Sequence, residues 1–123
     1  MKSPIKNQLN TVFVHVSDLK RSVKWYCELL GQEFKEENIE LPIYNMEIND
    51  YTGLILDAGA NGTKTVKPSP HPLFNFHTDD IDQAYHFTKD EGFQVVSDLF
   101  KFEDLSFFHL KDPDGNIIMV CNG

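Results

Sequence analysis

The chain has few cysteines, no long apolar run and no basic cluster, and each shortage narrows what it can do. Cys27 and Cys121 are its only cysteines, and neither sits in a CxxC pair. They read as free core thiols, which suits a reducing cytoplasm, and nothing nearby marks either as catalytic. No stretch approaches the roughly 18 apolar residues of a membrane-spanning helix. No basic run reaches five residues, and the net charge of -8 would repel nucleic-acid phosphates. Lys2 and Lys6 precede no apolar segment, so the N-terminus does not read as a secretion signal. Nucleic acid and membrane are therefore not expected partners.

What is present is ordinary for a soluble protein. With 123 residues, 41% of them hydrophobic, the chain can build one compact core over 1-123. Its ten Phe and four Tyr can fill that core or line an aromatic pocket.

The chain repeats itself once. Thr11 to Val16 alternates as a strand, Ser17 or Asp18 caps a helix, and Leu19, Val23, Tyr26, Cys27 and Leu30 recur at helical spacing before Gly31. Strands are expected at 32–37, 44–48 and 52–57. The second unit opens with Leu73 to Thr78, and Asp79 or Asp80 caps a helix carrying Ile81, Ala84, Tyr85, Phe87 and Thr88 before Gly92. Strands are expected at 94–99, 105–110 and 116–121. Both units read βαβββ, as modules 10-58 and 73-121. The Pro- and Gly-rich segment 59-72 reads as their linker.

Register decides which side chains share a face. Val12, Val14 and Val16 form one face of the first strand, so Thr11, Phe13 and His15 form the other. Matching this pattern to Phe74 and Phe76 needs a shift of 62 residues, which puts Leu73, Asn75 and His77 on the corresponding face. The helices match with a shift of 61, so one residue should be absorbed at the turn into the helix.

Val14-His15-Val16-Ser17-Asp18-Leu19, Ser22, Trp25-Tyr26, Leu29-Leu30-Gly31, and Phe107-Phe108 before Asp112-Pro113-Asp114-Gly115-Asn116 occur in an order that resembles the vicinal oxygen chelate superfamily. That superfamily includes glyoxalase I, bleomycin-resistance proteins and extradiol dioxygenases. The resemblance implies an α+β fold in which paired βαβββ modules form a curled mixed sheet around a cleft. It also implies a small-molecule ligand and a homodimer. Many such enzymes hold a divalent metal with residues on the first and last strands of each module. Those positions fall here on Thr11, Asp57 or its neighbour, Leu73 and Met119. Only Asp57 could ligate a hard or borderline ion. His71 reaches one position only by a slip of two residues. No metal and no other cofactor is expected.

The candidate ligand-binding residues are His15, His77, Asn75, Asp57, Thr11 and Met119. The two histidines read either as strand residues bonded to a neighbour or as ligand contacts able to move protons near neutral pH. Lys64 and Lys67 of the linker could approach an anionic ligand. Phe34, Tyr44, Met46 and Tyr51 read as core or as an apolar wall. His109 and Phe107 have opposite parity to Phe108 and Leu110, which leaves open which pair faces the cleft. Asp112 and Asp114 fit a tight turn better than a calcium loop.

Two functions follow. One is a metal-free small-molecule-binding protein of the bleomycin-resistance type. The other is a lyase, isomerase or dioxygenase-like enzyme with a displaced metal site, or with acid-base chemistry from His15, His77 and Asp57. In the latter, one His abstracts a proton and the other stabilises an oxyanion. No catalytic residue is assigned.

Overall fold

The computed structural model describes residues 1–123, which divide into two compact units. The first comprises residues 1–23 and 35–65, and the second 24–34 and 66–123. No helix is long and apolar enough to cross a membrane.

In the first unit, strand β1 (Thr11–His15) leads into helix α1 (Leu19–Leu30), whose later turns belong to the second unit. Strands β2 (Ile43–Met46) and β3 (Gly53–Asp57) complete a three-stranded sheet in the order β1-β3-β2. β1 runs parallel to β3 and β2 antiparallel to it. Asp18 caps α1, its carboxylate accepting the Arg21 N–H at 3.1 Å. Val14, Val16, Leu19, Val23, Met46, Leu54 and Leu56 are buried and form the core of this unit.

The second unit holds strand β4 (Asn75–His77), helix α2 (Ile81–Asp90) and strands β5 (Gln94–Val95), β6 (Phe100–Lys101), β7 (Ser106–Lys111) and β8 (Ile117–Cys121). Its sheet has the order β4-β8-β7-β5, with β6 also paired to β7. β4 is parallel to β8, and the other pairs are antiparallel. Phe108, Leu110 and Ile118 are buried on one face, and α2 packs on β5, β7 and β8.

The helix ends show the repeat in their hydrogen bonds. Gly31 and Gly92 both take positive φ, 70° and 82°. Gln32 N–H reaches the Cys27 carbonyl at 2.8 Å, and Phe93 N–H reaches the Thr88 carbonyl at 2.9 Å. The second helix is capped by Asp80, whose side chain accepts the Gln83 N–H. Asp18 and Asp80 are 62 apart, whereas Gly31 and Gly92 are 61 apart. The extra residue is therefore absorbed along the shorter second helix and not at the turn before it.

The sheet architecture departs from expectation. The α+β class and mixed sheets are present, but one curled sheet around a cleft is not. The strands form two separate open sheets, each ending at two edges. Two local causes are visible. Residues 32–37 do not form a strand: 32–35 are irregular and Glu36–Asn38 is a 3-10 turn with no buried residue, and Phe34 is the only apolar side chain among Glu33, Lys35, Glu36 and Glu37. Pro68, Pro70 and Pro72 lie between the sheets in sequence and can donate no ladder hydrogen bond. The expected strand over 94–99 also breaks after Val95. There the Ser97 hydroxyl accepts the His109 N–H at 2.8 Å and takes a ladder position.

Asp112-Pro113-Asp114-Gly115-Asn116 is a turn stapled by one carboxylate. Asp112 Oδ1 accepts the Asp114 and Asn116 N–H groups at 3.0 and 2.9 Å. Its Oδ2 accepts from Asn116 Nδ2 at 2.9 Å and from the buried Tyr26 hydroxyl at 2.8 Å. Burial first, and then the Asp112 and Asp114 charges, push the Tyr26 phenol far above its ordinary pKa.

Candidate functional site

Each sheet buries one face and leaves the other open, and the chemistry-bearing residues lie on the open faces. In the first unit, Thr11, Phe13 and His15 share a face of β1. The register sets Gly53, Ile55 and Asp57 beside them, and then Asn45 beside Ile55 and Ile43 beside Asp57. Phe13 is 50% exposed and Ile43 42%, so this surface is apolar and open. The cross-strand partners His15 and Asp57 close its end.

Lys64, on the loop after β3, joins them. Its Nζ lies 2.8 Å from His15 Nδ1 and 3.5 Å from Asp57 Oδ1. An ammonium only donates, so it fixes Nδ1 as the acceptor in this hydrogen bond. Asp57 Oδ1 also accepts the Gly59 N–H at 2.9 Å. That backbone bond, followed by the Lys64 charge, outweighs partial burial and holds the Asp57 carboxyl below its ordinary range. Gly59 takes a φ of 79°, and a Cβ there would sit 3.4 Å from Lys64 Cδ, so the turn lies directly against the lysine stem.

In the second unit, Asn75 lies beside Met119, which lies beside His109; His77 lies beside Cys121, which lies beside Phe107. Phe107 and His109 are half-buried on this open face, while Phe108 and Leu110 are fully buried on the other. Phe107 contacts Phe100 at 5.3 Å, His109 at 5.5 Å and Phe102 at 6.0 Å between ring centroids. His77 turns along its own chain, with Nε2 2.8 Å from Asp79 Oδ1.

Of the residues anticipated from sequence, Thr11, His15 and Asp57 share the first face, and Asn75, His77 and Met119 share the second. Phe13, Ile43 and Asn45 on the first, and Phe100, Phe102, Phe107 and His109 on the second, add to them. The parity of His109 was a usable signal. Phe100 and Phe102 carried none, because they follow the break at Ser97.

These residues do not fit a divalent metal. No group of three or more His, Cys, Asp or Glu is placed to hold one. Of the four positions implied by resemblance, Leu73 is 70% exposed and apolar, Thr11 and Met119 are poor donors, and Asp57 is engaged by Lys64 and the Gly59 amide.

The chain matches a known family over nearly its whole length. The protein belongs to the Glyoxalase/Bleomycin resistance protein/Dioxygenase superfamily, whose family model matches residues 8–120. Among solved structures it is similar to Oxidase ChaP-H1, with 17% identity and a TM-score of 0.73 over 96% of this chain and 97% of that one. It is also similar to a glyoxalase/bleomycin resistance protein from Albidiferax ferrireducens, with 23% identity, a TM-score of 0.71, and coverage of 94% and 98%. A third similar structure is a glyoxalase/bleomycin resistance protein/dioxygenase family enzyme from Burkholderia phytofirmans, at 16% identity, a TM-score of 0.69, and coverage of 94% and 98%. No curated protein matches the chain. At these identities the likeness shows the fold, which is consistent with small-molecule binding.

Proposed function

We propose that this protein is a metal-free small-molecule-binding protein of the glyoxalase/bleomycin-resistance type. The observation that carries the proposal is the Lys64 ammonium against Asp57 and His15. It supplies the positive charge that a divalent ion would otherwise bring to that carboxylate. In this reading the ligand lies on the apolar surface of Phe13 and Ile55 and makes polar contacts with Thr11, His15 and Asp57. Asn75, His77 and Met119 are the candidate ligand contacts of the second unit's own open face. The family model spans both units, which supports one functional domain over 1-123. A cytoplasmic homodimer completes the proposal: two buried free cysteines suit a reducing compartment, and many members of the superfamily are dimers.

The test is elemental analysis of protein purified without chelator, followed by calorimetric titration against panels of cationic, anionic and neutral metabolites. The expected result is no stoichiometric metal and, for an anionic ligand that also engages Lys64, an affinity that falls at least about tenfold in Lys64→Met, as loss of a charged contact predicts. Stoichiometric metal that is lost in Asp57→Ala would overturn the proposal, as would a protein that binds nothing in any panel.

The His15–Lys64–Asp57 chain of contacts favours one second reading, acid-base catalysis on the same face. A substrate whose turnover survives Lys64→Met and His15→Ala unchanged would end it.

A further inference from the structure

A cavity of about 480 Å³ opens on the second unit away from the residues used above. Its walls are Trp25 and Glu28 from α1, Phe87 from α2, Glu91 and Phe93 just after α2, and Lys111 at the end of β7. The three rings form a continuous surface. Trp25 meets Phe93 edge to face at 5.5 Å, and Phe93 meets Phe87 at 6.0 Å. Phe87 is 41% exposed, so ring surface is presented to a ligand and not only to neighbouring side chains.

The charge around these rings has one sign in excess. Glu28, Glu91 and Asp112 stand against the single cation Lys111. Asp112 is 3% exposed, and every hydrogen bond to its carboxylate comes from a neutral donor: the Tyr26 hydroxyl, two backbone N–H groups and the Asn116 amide. Those bonds satisfy its lone pairs but leave its charge in place beside the cavity. Aromatic faces attract cations through their quadrupole, tryptophan most strongly, and carboxylates at the rim add to the attraction. The volume suits a small organic molecule.

We propose that this cavity binds an organic monocation bearing an apolar group, of the class of an aromatic quaternary ammonium. The apolar group lies on Phe87 and Phe93, and the charge lies toward Trp25, Glu28 and Glu91. Lys111 opposes binding and sets its limit.

Trp25 is the only tryptophan, so its emission reports the site directly. The experiment titrates the protein with benzyltrimethylammonium, with neopentylbenzene as its uncharged match, and with phenylacetate as an anion. The cation should change Trp25 emission saturably, and the other two should bind at least about tenfold more weakly, since only the cation gains the π and carboxylate terms. Glu28 and Glu91 are both exposed, so Glu28→Gln/Glu91→Gln should fold normally. It should weaken the cation about fivefold or more. Lys111→Gln should tighten it. The proposal is overturned by the absence of a saturable response to the cation, by equal affinity for the anion, by unchanged affinity in the double variant, or by weaker binding in Lys111→Gln.

Discussion

Replacing Tyr26 by Phe removes one hydroxyl and should leave a signature in pH as well as in stability. Tyr26 is fully buried, and its ring should be replaced by Phe without a change of shape. The lost hydroxyl is one of two donors to Asp112 Oδ2, leaving only Asn116 Nδ2 on that oxygen. A hydrogen bond to a charged acceptor contributes about 1.5–3 kcal/mol, so the variant should lose about 2 kcal/mol near neutral pH. With a urea dependence of about 2 kcal/mol per molar, the midpoint falls by about 1 M. The phenol proton gives the second half of the signature. Burial and the neighbouring carboxylates keep Tyr26 protonated in the folded protein, whereas in the unfolded chain tyrosine ionises near pH 10. Above that pH the unfolded state binds one proton fewer, and wild-type stability falls by about 1.4 kcal/mol per pH unit from this group alone. Tyr26→Phe has no such proton. The wild-type advantage should therefore hold to about pH 9.5, shrink beyond it, and vanish near about pH 11.5. Urea denaturation followed by Trp25 emission measures this locally, since the two rings are 4.7 Å apart. A difference that stays constant from pH 9 to about 11.5, or no difference at pH 7, would refute the argument.

Other perturbations test the remaining physical claims. Ser22→Ala removes a fully buried hydroxyl that has no hydrogen-bond partner, so thermal denaturation should show it unchanged or more stable by about 1 kcal/mol; a clear loss would contradict this. Asp80→Ala deletes the cap on Gln83 N–H and should cost about 1 kcal/mol in urea denaturation. Gly92→Ala should cost a similar amount of about 1 kcal/mol by forcing a side chain to φ 82°, since a Cβ there meets no atom within 4 Å. Asp57→Asn should be only slightly less stable than wild type at pH 7, by under about 1 kcal/mol for a partly exposed ion pair. Because the Asp57 carboxyl is held below its ordinary range, that deficit should disappear as the pH falls through and below about 4, where the unfolded chain takes up its proton first.

Local pattern made much of this fold legible. Alternation of Val12, Val14 and Val16 placed His15 and Thr11 on the open face, and both helix ends followed from aspartate caps and glycines. The Asp-Pro-Asp-Gly-Asn segment read as a turn because each of its residues favours one. What was missed depended on partners distant in sequence or on competition between local options. Residues 32–37 have strand length but only Phe34 to bury; 32–35 stay irregular and a 3-10 turn begins at Glu36. The Ser97 hydroxyl interrupts a strand that spacing alone makes continuous. His77 has a carboxylate two residues away, and its imidazole bonds there. Two linker lysines stood out as able to meet an anion, but that Lys64 lies on His15, 49 residues away, is fixed by tertiary structure.

The loop that carries Lys64 is held by its own backbone contacts. The Gly59 amide is tied to Asp57, the Gly62 amide to the Gly59 carbonyl, and Thr63 forms a single antiparallel bridge to Asp18. A molecule that engages Lys64 therefore meets a lysine whose rotamer and backbone entropy are already lost, and association need not wait for a loop to close. It must instead displace or share two existing partners of the ammonium. Exchange of those contacts would then govern residence time, while arrival would be limited by diffusion and tuned by salt.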